Sequence, residues 1–242
     1  EVDLIAAEDT RQTRKLLHHY DIATGMTSYY NGVEASKSTH LLERLQNGVR
    51  IALVSDAGTP VISDPGFRLL QTAILNGIRV VPVPGASAVT AALGVSGLAV
   101  ERFAFEGFLA ARKKERREQL SRLRGEKRTL VFFEAPHRLG DFLEDLLEML
   151  GDREVTLARE VTKTYEEFLR GPVSALAKQL DTSHLRGECT VIVQGDQGKE
   201  PPTLAVLRAE IQRLHKQGLR VKEIAELLGE KYSYPKREIY RL

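Results

Sequence analysis

The chain has 242 residues, of which 42% are hydrophobic and 28% are charged, a balance that predicts a folded protein of one large or two modest domains. No apolar run approaches the roughly 18 residues that a membrane-spanning helix needs. The single cysteine excludes an internal disulfide and a zinc site built from cysteines, and it fits a reducing, cytoplasmic location. Because the net charge is only +2, any nucleic-acid-binding surface must come from the distribution of charge rather than from its total.

The chain opens on a predicted strand, residues 1–7, which is followed by a helix that Asp9 or Thr10 caps and that ends near Tyr20. Since a strand stands at the very first residue, we expect the chain to begin inside a fold. We expect the piece that would precede it to be either present but disordered or replaced by contacts in a dimer. Before the next strand, the pattern predicts a short strand at 26–30 and a helix at 39–46.

The next strand, Ile51–Val54, ends on the sequence Ser55-Asp56-Ala57-Gly58-Thr59-Pro60. An apolar run that ends on a carboxylate, a glycine and a proline is typical of a buried parallel strand that enters a tight turn. In open α/β sheets, the loops at the carboxyl ends of strands form the ligand crevice. Asp64 and Pro65 are predicted to cap and begin the following helix. The alternative is that Asp56 only caps a turn and that Gly58 only supplies a positive φ.

Further along, a helix that ends near Gly77, a strand at Ile78–Val83 and a small-residue helix through Leu93 continue the alternation that a mostly parallel sheet requires. A second set of strands and helices follows a break in this pattern. Its predicted elements are an extended segment at 102–109, helices at 113–124, 137–150 and 172–180, and strands at 129–133, 155–159, 166–169 and 189–193. We therefore predict an N-terminal α/β domain at 1–106, a C-terminal α/β domain at 107–196 and a helix-turn-helix-like tail at 197–242.

Several common site motifs do not occur in this sequence. It has no GxGxxG after a strand and no GxxxxGK[ST], so neither a dinucleotide-binding fingerprint nor a phosphate-binding loop is predicted. It has no HExxH and no GxSxG, so we predict no metal site and no hydrolase nucleophile.

Six segments, taken together and in order, carry a resemblance that covers almost the whole chain. They are Ser55–Pro60 with Asp64–Gly66, Pro82–Ala88, Gly107–Leu109, Phe133–Arg138, Ala158–Glu160 with Thr162 and Lys163, and Gly187–Glu188. In this combination the chain resembles the ribosomal RNA small subunit methyltransferase I family of the tetrapyrrole methylase superfamily. It departs from the family at Tyr30–Glu34, where the family has a His-Asn-rich segment, and the family's first strand lies before residue 1.

The resemblance implies two α/β domains with mixed, mostly parallel sheets, a small C-terminal helical tail and a homodimer. It also implies a cytoplasmic enzyme that uses S-adenosylmethionine to methylate the ribose 2′-oxygen of a cytidine in the decoding region of 16S ribosomal RNA, in the small (30S) subunit. The cofactor is expected in a cleft between the domains, with Asp56 on one of its polar groups. The expected cofactor residues are Ser55, Asp56, Ala57, Gly58, Thr59, Ser87, Ala88, Phe133, Glu134, Ala158 and Cys189. Cys189 has the alternative interpretation of a small, buried apolar residue.

Because a sulfonium donor needs little activation, catalysis is chiefly alignment of the methyl group together with removal of a weakly acidic proton. The candidates for proton removal stand at strand ends, where charged residues also serve as ordinary caps and ion-pair partners. These candidates are Glu8, Glu134, Glu160 and Lys163.

Lysine and arginine dominate residues 112–128, a pattern typical of a surface that binds a phosphate backbone. The residues predicted to bind RNA are Lys113, Lys114, Arg116, Arg117 and Arg138. The alternative is an ordinary solvated helix face.

Two other functions remain open at this point. One is a tetrapyrrole or diphthamide-precursor methyltransferase of the same superfamily, and the other is a non-catalytic protein that binds RNA or the ribosome.

Overall fold

The computed structural model describes residues 2–180, 185–198, 204–232 and 236–242. By their contacts the residues form two compact units. The first contains Glu1–Ser96 together with Arg159–Glu166, and the second contains Gly97–Ala158 and Glu167–Leu242. The domain boundaries near 106 and 196 stay predictions, because a grouping by contacts does not test which parts fold independently.

The first unit is built on a three-stranded sheet in the order β2-β1-β3. Its elements are β1 (Leu4–Ala7), α1 (Thr10–His19), β2 (Met26–Ser28), α2 (Glu34–Gln46), β3 (Ile51–Val54), α3 (Phe67–Leu75) and α4 (Ala88–Gly94). Both pairings are parallel, and Ala7 stands opposite Ser28 on one side and Val54 on the other. The loops that leave the three strands therefore begin side by side at one edge of the sheet.

The core of the first unit lies on both faces of this sheet. Since side chains alternate along a strand, Leu4 and Ala6 pack with Leu41 and Leu69 in one cluster, whereas Ile5 and Ala7 belong to another. Continuous burial along β1 is what a parallel strand with helices on both faces needs.

The strand predicted at Ile78–Val83 is wrong, because residues 78–87 are neither helix nor strand. A strand needs a neighbour for its main-chain hydrogen bonds. Within the described residues, β3 pairs only with β1, and no strand runs along its other edge. Val83 is accordingly 87% exposed.

Two predicted helix starts are also corrected. The helix expected after Asp64 and Pro65 is α3, which begins at Phe67 with Gly66 as its N-cap at φ 134°, and α2 begins at Glu34 rather than at residue 39. The cap of α1 is confirmed, since the Asp9 carboxylate accepts a hydrogen bond from the Arg11 amide.

The second unit contains a five-stranded sheet in the order β4-β5-β8-β6-β7. Its elements are β4 (Phe103–Phe108), α5 (Lys113–Arg122), β5 (Thr129–Glu134), a 3-10 turn (Pro136–Arg138), α6 (Leu139–Leu150), β6 (Glu154–Arg159), β7 (Glu167–Pro172), α7 (Val173–Gln179) and β8 (Cys189–Val193). β4 and β5 are parallel, whereas β5 and β8 are antiparallel. The predicted mixed α/β architecture is thus confirmed.

This sheet and its helices enclose a larger core than that of the first unit. It includes Phe132 and Phe142, whose ring centroids lie 5.4 Å apart. It also encloses an ion pair between Arg116 of α5 and Asp145 of α6, whose side chains are 2% and 0% exposed.

Three helices complete the described chain: α8 (Leu204–Lys216), α9 (Val221–Tyr232) and α10 (Lys236–Ile239). Leu214, Ile224, Leu228 and Ile239 form their shared core. The sequence pattern also predicts a linker at 196–202 and a joint between two tail helices at 232–234, and both lie partly outside the described residues. None of the described helices has the length and the apolarity that crossing a lipid bilayer requires.

Candidate functional site

The carboxyl ends of β1 and β3 hold two acidic side chains in a reciprocal clasp. The Asp9 amide donates to Asp56 Oδ1 at 3.1 Å, and the Asp56 amide donates to Glu8 Oε2 at 3.1 Å. The parallel register of the two strands places these loops next to each other. The clasp therefore fixes the start of both loops while the carboxylates remain accessible, Asp56 exposed and Glu8 half-buried.

The loop after β3 presents unused main-chain donors. Within the part of the chain that the structure describes, the amides of Ala57, Gly58 and Thr59 donate to no protein acceptor. Gly58 has φ 72°, a conformation that glycine adopts without cost, and Thr59 Oγ1 donates to the Ala86 carbonyl at 3.0 Å. This arrangement fits a ligand that carries carboxylate or ribose oxygens.

The second predicted small-residue segment, Ser87 and Ala88, lies at the start of α4. Ser87 is the N-cap of that helix, and its hydroxyl accepts from the Thr90 amide at 3.5 Å. The hydrogen bond between Thr59 and Ala86 joins this segment to the loop after β3.

The loop at 159–166 belongs to the first unit by its contacts. Within it, Lys163 Nζ and Glu160 Oε1 form an ion pair at 2.9 Å. Glu160 and Thr162 have φ 51° and 69°, a backbone conformation that is uncommon outside glycine and often marks functional loops. Two candidates for proton removal thus lie together, in the same unit as Glu8.

Glu134, at the end of β5, is enclosed. Its side chain is 0% exposed, and Oε1 accepts from the Ala135 amide at 2.8 Å and pairs with Arg138 Nε at 3.1 Å. Burial raises the pKa of Glu134, against the lowering effect of the Ala135 amide and of the Arg138 charge. This burial argues against Glu134 as the group that takes a proton from a large substrate.

Arg138 and Arg116 are also engaged inside the second unit, contrary to the prediction that they bind RNA. Arg138 Nη2 donates to the carbonyls of Leu109 and Ala110 at 2.9 and 3.2 Å, and Arg116 Nε donates to Asp145 Oδ2 at 2.7 Å. Both guanidinium groups hold the β4–α5 connection against neighbouring elements. The sequence offered no signal for this, because the acidic partner of Arg116 lies on another helix.

The exposed part of the basic segment is smaller than predicted. Lys113 and Lys114 lie at the start of α5 and are exposed, and they line an open depression of about 570 Å³ together with Arg117 and Met149. Arg117 is partly neutralised, since its Nε lies 2.8 Å from Asp145 Oδ1 and it also pairs with Glu148. Among the basic side chains that line this depression, the two lysines have no ion-pair partner within the described residues.

The remaining cofactor candidates lie in the second unit. Phe133 stacks edge-on against Phe105, with ring centroids 4.9 Å apart. Ala158 is 0% and Cys189 3% exposed, so Cys189 is a buried apolar residue, as its alternative interpretation states. Among the described residues, no group of three or more side chains with metal-ligating chemistry comes together.

One carboxylate without a role in the sequence analysis lies against the loop after β3. Glu34 Oε1, from the first turn of α2, accepts from the amides of Gly66 and Arg68. Its only sequence signal is its place in the segment that departs from the family pattern.

The chain is similar in sequence to known proteins that it matches over most of their length. The family model described as "Tetrapyrrole (Corrin/Porphyrin) Methylases" matches residues 1–177. A protein of Halalkalibacterium halodurans named "Ribosomal RNA small subunit methyltransferase I" is 45% identical over 100% of this chain and 86% of its own. A protein of the same name from Escherichia coli O157:H7 is 44% identical over 99% of this chain and 85% of its own.

Solved structures share the fold at lower identity. The methyltransferase CobJ has a TM-score of 0.58 at 18% identity, over 82% of this chain and 85% of its own. Uroporphyrin-III C-methyltransferase from Thermus thermophilus, solved in complex with S-adenosyl homocysteine, has a TM-score of 0.50 at 19% identity, over 80% of this chain and 86% of its own.

Proposed function

The chain belongs to the tetrapyrrole methylase family and, within it, to the ribosomal RNA small subunit methyltransferase I family, and from this we propose that it transfers a methyl group from S-adenosylmethionine to small-subunit ribosomal RNA. The acceptor is the 2′-hydroxyl of a cytidine in the decoding region. The enzyme acts in the cytoplasm as a homodimer. The names of the relatives support the ribosomal substrate, and the complex of the Thermus thermophilus relative supports the cofactor.

The observation that carries the proposal is the set of free amides at Ala57, Gly58 and Thr59 beside the clasped carboxylates of Glu8 and Asp56. When bound, S-adenosylmethionine supplies a methyl group on a sulfonium. The three amides would donate to its oxygen atoms, and Asp56 would accept from a hydroxyl or ammonium group. Because the clasp fixes the loop before binding, little loop entropy is lost on binding.

For proton removal we keep Glu8, Glu160 and Lys163. Glu160 and Lys163 are neighbours, since Lys163 Nζ lies 2.9 Å from Glu160 Oε1. A ribose hydroxyl is weakly acidic, so the base accelerates the reaction by positioning and by accepting the proton as the new bond forms. Glu160→Gln tests one of these candidates, since loss of the base lowers kcat by about 100-fold or more and removes the acidic limb of the pH–rate profile.

Cofactor binding tests the proposal. In calorimetry with S-adenosylmethionine, we expect the parent to bind and Asp56→Ala to bind about tenfold more weakly, because one charge-assisted hydrogen bond is lost. Asp56→Asn keeps an oxygen for the Asp9 amide and separates the loss of charge from the loss of the clasp. If the parent protein releases no heat with the cofactor, the proposed enzymatic function is wrong, and the alternative of a non-catalytic RNA-binding protein is favoured.

Methyl transfer identifies the substrate. Radiolabelled S-adenosylmethionine is incubated with the protein and 30S subunits from a strain that lacks this methylation, and the labelled nucleotide is mapped. Label on the ribose of a decoding-region cytidine is the expected result. Label on a tetrapyrrole or a diphthamide precursor in place of RNA overturns it.

We assign the RNA contact to Lys113 and Lys114. Lys114→Ser raises the apparent Kd for ribosomal RNA and reduces the slope of log K against log salt by about 0.7–0.9, the share of one phosphate contact. Lys178→Ser removes an exposed lysine from α7 of the same unit and serves as the charge-matched control. If the two variants have equal slopes of log K against log salt, the α5 surface does not contact RNA and is only exposed to solvent.

A further inference from the structure

The loop between β3 and α3 is anchored at both ends by carboxylates from other elements. At its start, Glu8 Oε2 accepts from the Asp56 amide. At its end, Glu34 Oε1 accepts from the amides of Gly66 and Arg68 at 3.0 and 3.2 Å. The free amides of residues 57–59 lie between the two anchors.

The second anchor replaces a cap that α3 does not have. Gly66 is the N-cap of α3 and offers no side chain to its first amides. A larger residue is disfavoured there, because Gly66 has φ 134° and a Cβ on it would lie 2.4 Å from Leu53 Cδ2, which would have to move. Since the first amides of a helix need an acceptor, Glu34 supplies from α2 the oxygen that the N-cap residue lacks.

Glu34 is itself held in place. The buried Tyr29 donates its hydroxyl to Glu34 Oε1 at 3.3 Å, and that hydroxyl also lies 2.8 Å from Ser38 Oγ. Ser38 Oγ donates to the Glu34 carbonyl at 2.6 Å. One turn further, Lys37 Nζ donates to the Ser28 carbonyl at 2.6 Å. The first turn of α2 is thus tied to the end of β2, which gives Glu34 a rigid base.

The anchored loop contains backbone that would relax if it were released. Val61 and Ser63 have φ 78° and 65°, and for a β-branched residue this conformation is strained. Such strain persists only when the surrounding structure holds the ends of the segment.

From these contacts we propose that Glu34 is a positioning residue for cofactor binding: it holds the far end of the 55–66 loop so that the amides of 57–59 point at the cofactor. This inference rests on the proposed use of that loop for S-adenosylmethionine. Glu34 acts through Gly66 and Arg68 and does not itself contact the cofactor.

The test compares three substitutions of one residue by calorimetry with S-adenosylmethionine. Glu34→Ala raises the Kd by about fivefold, the equivalent of losing a helix cap. Glu34→Asp keeps the charge but is one methylene shorter, and it behaves like Glu34→Ala. Glu34→Gln keeps an oxygen at the same reach and stays within about twofold of the parent. Glu43→Ala, an exposed glutamate of the same helix, is the control and binds as the parent does.

Amide hydrogen exchange provides a second readout that a merely stabilising role would not move. Glu34→Ala and Glu34→Asp speed exchange at the hydrogen-bonded amides of Ile62, Gly66 and Arg68, while exchange in β1 and β3 stays slow. If the alanine variant does not fold, the aspartate and glutamine variants make the same comparison.

The outcomes separate this inference from the proposed function. A parent that binds the cofactor and a Glu34→Asp variant that binds it equally well overturn the inference alone. A parent that does not bind the cofactor overturns the proposed function and, with it, the role of Glu34 in cofactor binding. Unchanged exchange at the amides of Ile62, Gly66 and Arg68 in Glu34→Asp shows that Glu34 does not hold the loop.

Discussion

The carboxylates of the candidate site in the first unit and the buried carboxylates of the second unit are used in opposite ways. In the first unit, Glu8, Asp56 and Glu34 accept hydrogen bonds from main-chain amides near the surface. In the second, Glu134 and Asp145 are buried and paired with arginines. Amide-bound surface carboxylates can exchange one partner for a ligand, whereas breaking a buried ion pair leaves an uncompensated charge. Ligand binding is therefore expected in the first unit and rigidity in the second.

The cores follow the same division. The three-stranded sheet of the first unit buries small clusters on each face, whereas the five-stranded sheet of the second encloses a continuous apolar core. Since segments with fewer buried apolar contacts open first, we expect local opening in the first unit to precede that in the second.

The largest effect is expected inside the second unit. Asp145→Ala leaves Arg116 buried without its partner and lowers the free energy of unfolding by about 3–5 kcal/mol. Urea unfolding measures this loss. Glu148→Ala, which removes the exposed partner of Arg117, changes stability by less than about 1 kcal/mol. Equal losses for the two variants would mean that burial does not distinguish these pairs.

A backbone substitution in the first unit comes next. Gly66→Ala combines a positive φ with a collision against Leu53 and costs about 2–3 kcal/mol. Gly77→Ala has a positive φ but open space around it, and it costs about 1 kcal/mol. Thermal unfolding of both variants separates the collision from the backbone term.

A smaller change is expected at the link between the two loops of the site. Thr59→Val removes the hydrogen bond to the Ala86 carbonyl and costs about 1 kcal/mol or less, while exchange at residues 88–92 becomes faster. Thr59→Ser keeps the hydroxyl and retains parent behaviour. If exchange at residues 88–92 stays slow in Thr59→Val, other contacts hold the two loops together.

The smallest expected effect is a loss of folding stability in the first unit at acidic pH. The Arg50 and Arg11 guanidiniums hold the pKa of Asp3 and of Asp9 to about 2, below the usual 3.8. Because these pKa values are lower in the folded state, the stabilisation is complete above pH 4 and is lost as the pH falls toward 2. Arg50→Ala makes the unfolding midpoint of the first unit less sensitive to pH in this range. An unchanged slope would show that Asp3 gains nothing from Arg50.

Burial gives the stability contribution of Glu134 the opposite dependence on pH. Its pKa is raised above the usual 4.5, so its contribution to stability falls as the pH rises through that raised pKa. Glu134→Gln removes this dependence from the second unit and leaves the acid response of the first unit unchanged.

Much of the fold was predictable because its signals are local. β3 and β8 begin and end where the apolar runs predict, at Ile51–Val54 and Cys189–Val193. The positions of Glu8 and Asp56 at neighbouring strand ends follow from the rule that parallel strands share a carboxyl edge. The resemblance to the methyltransferase family is confirmed by relatives across the whole chain. The assignments of the cofactor, proton-removal and RNA residues stay predictions. Burial argues against Glu134 and Arg116, and hydrogen bonds to main-chain carbonyls argue against Arg138.

By itself, the sequence determined the residues of the strand-end loops, since their glycines, prolines and carboxylates act on the backbone nearby. The tertiary structure decided which charges remain available, because burial depends on partners far along the chain. Arg116 pairs with Asp145, which is 29 positions away in the sequence, and Glu34 accepts from the amide of Gly66, which is 32 positions away. It also decided that Ile78–Val83 is no strand, since β-structure exists only where a second strand supplies the hydrogen bonds.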